Sequence, residues 1–406
     1  MSAIFEQIRV IDFSNNVAGP TAAAMLADLG AEVIKIERPN AGDDSRTTLP
    51  LWDKGALQNI WYNRGKKSVE ISLKDPDAQS VLHKLIDTAD VVIESFKVGE
   101  MKKFSLDYET VKAGHPGLIY CSISACGQTG GYAGEPGFDI IAQGMSGMMD
   151  LCGEPEGGPT KAGPPIGDYV ASYNAFGAVS AALYHRERTG QGQYIDISLL
   201  DGLLYCNTQI DNAATCEAHP TRTGRHHATA APFGVYMGSR GQSVIIATPA
   251  PAAWKRLCGA MDMPALADDP RFDAAPRRVQ NLDELVAVIE GWLKTFDSID
   301  DAIAILKRAK VPCGKIKSTY EAAHDPVLWD RGSLVEIPTP TGFDHKTFRG
   351  RGPAARYSLT PAVMRPAPNL GEHTREVLSR LGWTEEQITR KQMEWTGRGP
   401  EKGGAS

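Results

Sequence analysis

At 406 residues the chain exceeds the size at which one hydrophobic core usually stops growing, so two domains are expected. Its 42% hydrophobic and 23% charged residues are those of an ordinary globular protein, which excludes a disordered or fibrous chain. A net charge of −6 leaves no basic excess for nucleic acid, although a local cationic pocket for a phosphorylated ligand remains open.

The N-terminus, MSAIFEQIRVIDFS, lacks the basic start and long apolar run of a secretory signal. No apolar stretch reaches the roughly 20 residues needed to span a bilayer, so no membrane partner is expected. Seven scattered cysteines without a CxxC pair read as reduced thiols of a cytoplasmic protein.

In chain order, the pattern predicts a strand over 8–13, a break at Gly19-Pro20, and a helix over 21–30 with a glycine stop. A strand over 32–37 ends at Arg38-Pro39, and another covers 68–73. Asp75-Pro76 can open a helix reaching Ile86, and strands over 91–94 and 118–123 follow. Strands alternating with helices imply a mostly parallel, doubly wound α/β sheet. An alanine-rich apolar helix is read over 170–184, then a strand over 194–199 leading into a helix over 200–206. From about Gly224 the texture changes to a strand pair (234–236 and 244–247) and helices over 253–257 and 282–296, an α+β pattern. The tail from Pro353 is proline-rich, becomes helical over 372–381, and ends in a glycine-rich stretch expected to fray.

Gly127–Gly131 and Gly157-Gly158 do not fit the dinucleotide fingerprint, and neither GxxxxGK[ST] nor GxSxG occurs. His226-His227 has no carboxylate at ligand spacing, so no metal is expected. Asp168 precedes the apolar run at 170–184. Its carboxylate can cap that helix or be held there as a nucleophile, and spacing does not separate the two. Basic residues recur at predicted strand ends: Arg38, Arg64, Lys66, Lys67, Lys74, Lys97, Lys102 and Lys103. In a parallel sheet such ends face the ligand crevice, where cations suit the phosphates of a nucleotide-like ligand; the alternative is a set of solvated charges.

Read together, several ordered segments resemble the class III CoA-transferase (CaiB/BaiF) family, which includes formyl-CoA:oxalate and carnitine CoA-transferases and a racemase relative. The carriers are Val10–Phe13 with Ala18-Gly19-Pro20, Leu29–Pro39, Asn63–Ser68, Glu94–Lys97, Gly137-Phe138-Asp139, Gly167-Asp168, Arg188–Gln193, Pro312-Cys313-Gly314 and Leu370–Thr374. The resemblance implies a Rossmann-like large domain built from both chain ends (1–200 and a return over 326–406), a linker over 201–224 and an inserted small α+β domain over 225–325. It also implies an interlocked homodimer, with coenzyme A or acyl-CoA as substrate and no permanently bound cofactor. Arg38, Leu73, Lys74, Phe96 and Lys103 stand where family members contact CoA, Lys103 as a point charge where some relatives have Arg.

Asp168 matches the family's catalytic aspartate, which attacks the donor thioester to give a mixed anhydride and then an aspartyl-CoA thioester. Asp139 stands where relatives carry a second, supporting acid. Phe138 replaces the proton-carrying His of the racemases, which disfavours racemase or isomerase chemistry. Val17 replaces an active-site Gln of the formyl-CoA enzyme, and Arg225–Ala230 replaces its glycine loop, so oxalate and formate are not expected. The remaining polar lining, Asn15, Asn16, Arg225, His226 and His227, suits a dicarboxylic acid, with succinyl-CoA as donor. A CoA-binding subunit of a hetero-oligomer is the other reading.

Overall fold

The computed structural model describes residues 3–397, and the stretch beyond Gly397 that was expected to fray lies outside the described residues. Two compact units divide the chain: one comprises 1–148, 162–210 and 327–406, the other 149–161 and 211–326.

The first unit is built on a six-stranded sheet. Its strands are β1 (Arg9–Asp12), β2 (Glu32–Glu37), β3 (Lys67–Glu70), β4 (Val91–Glu94), β5 (Ile119–Ser124) and β6 (Tyr194–Ser198). They lie in the order β3-β2-β1-β4-β5-β6, every pair parallel. Parallel strands buried on both faces read as continuous apolar runs, and side-chain alternation deals them to two cores. Val10, Val33, Val91 and Ile119 enter one core; Ile11, Ile34, Val69 and Val92 enter the other.

Helices α1 (Ala18–Asp28) and α2 (Ile166–Thr189) cover the first face. Alanines dominate their contact (Ala22, Ala23, Ala171, Ala175), so the two backbones lie close enough for the Ser172 hydroxyl to donate to the Ala18 carbonyl at 2.9 Å. The second core is closed by the helix Pro76–Asp87 and by two helices near the chain end, Thr374–Arg380 and Glu385–Thr396. The last of these has a full capping box, Thr384 with Gln387, a local signal that the tail's proline-rich start obscured.

The second unit holds a three-stranded antiparallel sheet, Phe233–Met237 and Cys313–Lys315 flanking Ser243–Ala247. Helices Pro251–Ala260, Leu282–Leu293 and Ile299–Arg308 pack on it around Trp254, Leu257, Phe272 and Leu285. Arg278 is fully buried there, its guanidinium donating to the carbonyls of Ala231, Phe272 and Pro249. The stretch 201–224, expected as a linker, carries the helix Leu199–Cys206, anticipated at 200–206, and the helix Gln209–Cys216. Among the described residues no helix is long and apolar enough to cross a membrane.

A buried ion cluster sits at the C-terminal ends of β1 and β2. Lys66 Nζ lies 2.7 Å from Asp12, 2.9 Å from Asn63 Oδ1 and 2.9 Å from the Pro20 carbonyl. Lys35 Nζ lies 2.9 Å from Asp43 and donates to the Ser14 carbonyl at 2.7 Å. Desolvation lowers Lys66 to about 8 despite the pull of Asp12. Two lysines offset two carboxylates with none of the four accessible to solvent, so each charge depends on the others. Lys35→Met should therefore cost about 3–5 kcal/mol, because it strands Asp43 without its counter-ion; a urea unfolding midpoint equal to that of the unaltered protein would contradict this.

Candidate active site

The chain leaves β1 toward β2 on one side and returns to place β4 on the other, so loops diverge beyond the C-terminal ends of β1 and β4. Doubly wound sheets open their ligand crevice at such a point. A cavity of about 510 Å³ lies there, lined by Phe13 and Asn15 after β1, Arg38 after β2, Ser95, Phe96 and Lys97 after β4, and Ser124–Gly127 after β5. Phe138 closes its far wall, with its ring 73% exposed.

The loop leaving β1 is held by its backbone. Asn15 N–H donates to Ser95 Oγ at 2.9 Å, and Asn16 N–H to Asp43 Oδ1 at 3.1 Å. Asn16 adopts a left-handed φ of 67°, which asparagine tolerates better than most side chains. A Cβ at Gly19 would stand 2.2 Å from Ser14 Cβ, so only glycine lets α1 begin this close to the loop. Val17 occupies the N-cap of α1 and supplies no capping side chain. Across the cavity the Phe96 N–H donates to Glu94 at 2.7 Å, and burial pushes that carboxyl up to about 7.

Of the cations expected to face the crevice, Arg38 and Lys97 line the cavity, and Arg38 is partnered by Asp44 and the Gly42 carbonyl. The basic run before β3 does not face it. Arg64 is buried against Asp28 at 2.6 Å, Lys66 belongs to the ion cluster, and Lys67 pairs with Glu32 and Glu376. That run precedes its strand and is consumed by carboxylates from α1, β1 and the chain end, a pairing that strand order alone does not reveal. Lys74 and Lys103 are exposed and Leu73 is half-buried against the second core, none of the three lining this cavity.

Asp168 is not the cap of its helix. Pro165 holds the N-cap position and Asp168 is the third residue of α2. The free N–H groups of Gly167 and Asp168 donate to Asp139 Oδ1, at 2.6 and 3.4 Å, so a carboxylate from another helix serves the helix end. Asp139 begins the helix Asp139–Met145, and Gln143, one turn on, donates to its Oδ2 at 2.6 Å. The Gln143 Oε1 in turn accepts from Ala162 N–H at 2.9 Å. A Cβ on Gly167 would come within 2.9 Å of Asp139 Oδ1 and 3.1 Å of Leu203, so glycine is required for this approach. Both Asp139 oxygens are thus hydrogen-bonded. Burial, then the Asp139 charge, push Asp168 up to about 7.

Sequence reading had assigned Asp139 a supporting role but missed Gln143; the i, i+4 spacing that places both on one helix face was the available signal. Arg225, His226 and His227 belong to the second unit. Arg225 lies 3.9 Å from Glu290, His226 packs edge-on against Tyr236, and His227 packs against Phe233. Burial, then the Arg225 charge, hold His226 below its ordinary pKa.

A parallel sheet with a cavity at its switch point that Arg38 and Lys97 line, and a carboxyl of raised pKa at a helix N-terminus, make the layout of an α/β enzyme. The family model for CoA-transferase family III matches residues 5–374, and the chain belongs to that family. A succinyl-CoA:mesaconate CoA-transferase of Haloarcula marismortui is 36% identical over 93% of this chain and 96% of its own length. A succinate–glutarate CoA-transferase of Agrobacterium fabrum is 38% identical over 94% of this chain and 96% of its own. The crystal structure of a CAIB/BAIF family protein from Brucella suis superposes with a TM-score of 0.82 at 34% identity, covering 94% of this chain and 100% of that one.

The raised Asp168 pKa has a stability signature. The folded state holds a proton that the unfolded chain, at an ordinary 3.8, releases, so ionising Asp168 costs folding free energy as pH rises from about 4 to about 7. Asp168→Asn should stabilise the protein above pH 7 by on the order of 1 kcal/mol, a figure discounted for partial exposure, with the gain vanishing near pH 4. Thermal melts of both proteins across that range provide the check.

Proposed function

We propose that this enzyme moves coenzyme A from succinyl-CoA to a dicarboxylic acid through covalent intermediates on Asp168. The observation that carries the reading is the Asp168 carboxyl itself. It is half-buried beside the hydrogen-bonded Asp139 carboxylate and pushed up to about 7, so once ionised it is more basic, and hence more nucleophilic, than an ordinary aspartate. The relatives named for succinyl-CoA with mesaconate, and for succinate with glutarate, support the choice of acids.

In the proposed sequence an Asp168 oxygen attacks the thioester carbonyl. The C–S bond breaks, leaving a mixed anhydride and CoA thiolate. The thiolate attacks the Asp168 acyl carbon, releasing the donor acid as its carboxylate and leaving an aspartyl-CoA thioester. The acceptor carboxylate attacks that thioester, expels the thiolate and forms a second anhydride. Attack by the thiolate on the acceptor's acyl carbon gives the new acyl-CoA and restores Asp168. No proton enters or leaves, and acyl activation is retained throughout provided water is excluded.

The cavity with Arg38, Phe96 and Lys97 would receive CoA, with Leu73, Lys74 and Lys103 as further contacts. Asn15, Asn16, Val17 and Phe138 would surround the acids. Phe138 carries no proton, which favours transfer over exchange at the α-carbon. An interlocked cytoplasmic homodimer completes the proposal.

Purified protein given succinyl-CoA and a panel of acids should form dicarboxylyl-CoA products, read by chromatography. Hydroxylamine added after acyl-CoA should leave a hydroxamate at Asp168. Asp168→Ala should lower turnover by about three orders of magnitude or more, and full transfer by that variant would overturn the mechanism. Between pH 5 and 7 the rate should rise about tenfold per unit and then level, as the ionised carboxylate is the reactive form. Asp139→Asn should move that midpoint to lower pH because it removes the neighbouring charge; an unmoved midpoint would count against Asp139 as the source.

A further inference from the structure

A second cavity in the first unit, about 490 Å³, lies beside the same helix end and combines aromatic faces with arginines. Asp168 is followed by Tyr169, whose ring lines this cavity together with Trp61 and Arg351. The Arg351 guanidinium stacks over the Trp61 ring at 3.7 Å and donates to the Tyr169 hydroxyl at 2.5 Å. The Tyr169 hydroxyl lies 3.4 Å from that of Tyr62, whose phenol feels the charges of both Arg351 and Asp168.

The cations differ in what they are free to bind. Arg64, on the same wall, is neutralised by Asp28 at 2.6 Å, and Arg225 of the other unit has Glu290 at 3.9 Å. Arg351, like Arg331 and Arg356 of the same cavity, makes no ion pair with a carboxylate among the described residues, and its plane is fixed by stacking and by Tyr169. A guanidinium so oriented keeps further N–H donors for a bidentate carboxylate, and an adjacent indole face strengthens its hold by excluding water.

We infer that Arg351 is the specificity residue that takes the remote carboxylate of a short dicarboxylic acyl group whose other end reacts at Asp168, with the Tyr169 and Tyr62 hydroxyls along the acyl chain. This rests on the transferase reading above and adds the residue that selects a dicarboxylate over a monocarboxylate.

The test compares succinyl-CoA with butyryl-CoA, a methyl replacing the remote carboxylate. In Arg351→Met the ratio of kcat/KM for succinyl-CoA to that for butyryl-CoA should fall about 10- to 100-fold, the loss of a charged hydrogen bond. Arg351→Lys should retain part of the selectivity, and it carries the measurement if thermal melts show the Met variant unfolded. An unchanged ratio, or equal losses on both thioesters, would make Arg351 only a clamp between Trp61 and Tyr169 and overturn the inference. If the unaltered protein turns over neither thioester, the transferase reading fails, and calorimetric titration of free succinate and butyrate decides the inference alone. Succinate binding weakened in Arg351→Met, with butyrate binding unaffected, supports it, and equal succinate affinity in both proteins refutes it.

Discussion

The site depends first on the ion cluster that ties Asp12, Lys35, Asp43 and Lys66 together beneath the loop after β1. Charges this deeply buried are tolerated only when every one is paired and hydrogen-bonded, which allows few alternative arrangements. Asp12 ends β1, Lys35 lies in β2, Asp43 follows it, and Lys66 precedes β3. Satisfying four charges therefore sets the relative positions of three strand ends. The Ser14 carbonyl and the Asn16 N–H are bound into the same cluster, so the loop that faces the cavity inherits its rigidity.

A second constraint is imposed at the N-terminus of α2. A helix end with unserved N–H groups attracts an anion, and here the anion comes from Asp139 on a neighbouring helix. Asp168 is thereby relieved of capping its own helix and is left beside a fixed negative charge in a poorly solvated place. Both effects oppose its ionisation and raise the basicity of the carboxylate once formed. On the proposed mechanism the arrangement trades folding free energy for reactivity, a trade expected at sites that do chemistry. Gly167 permits it, because any larger side chain would push Asp139 and Leu203 away.

Much of the first unit was legible in the sequence. Short apolar runs bounded by Gly, Pro and Asp marked the parallel strands to within three residues, from the expected and observed 32–37 to the expected 68–73 against the observed Lys67–Glu70. Less regular parts were not legible. The hairpin Leu334–Pro338 with Thr347–Arg351 sits in a charged, proline-flanked stretch whose pairing depends on long-range contacts. The extended N-terminus of α2 was missed because Pro165 and Gly167 look like breakers, although proline is welcome at a helix start.

The sequence by itself determined the alternation that makes a doubly wound sheet, the family, and Asp168 with Asp139 as the acids to watch. These follow from local periodicity and from residue types in order, which a linear chain displays directly. Only the tertiary structure decided what each charge does. Arg64 and Lys66 turn inward while Arg38 and Lys97 face the cavity, Asp139 serves the helix end that Asp168 could have capped, and Arg351 reaches Tyr169 across 182 residues of chain. A side chain's charge is written in the sequence, but its solvation and its partner are properties of packing, and those set whether it stabilises, binds or reacts.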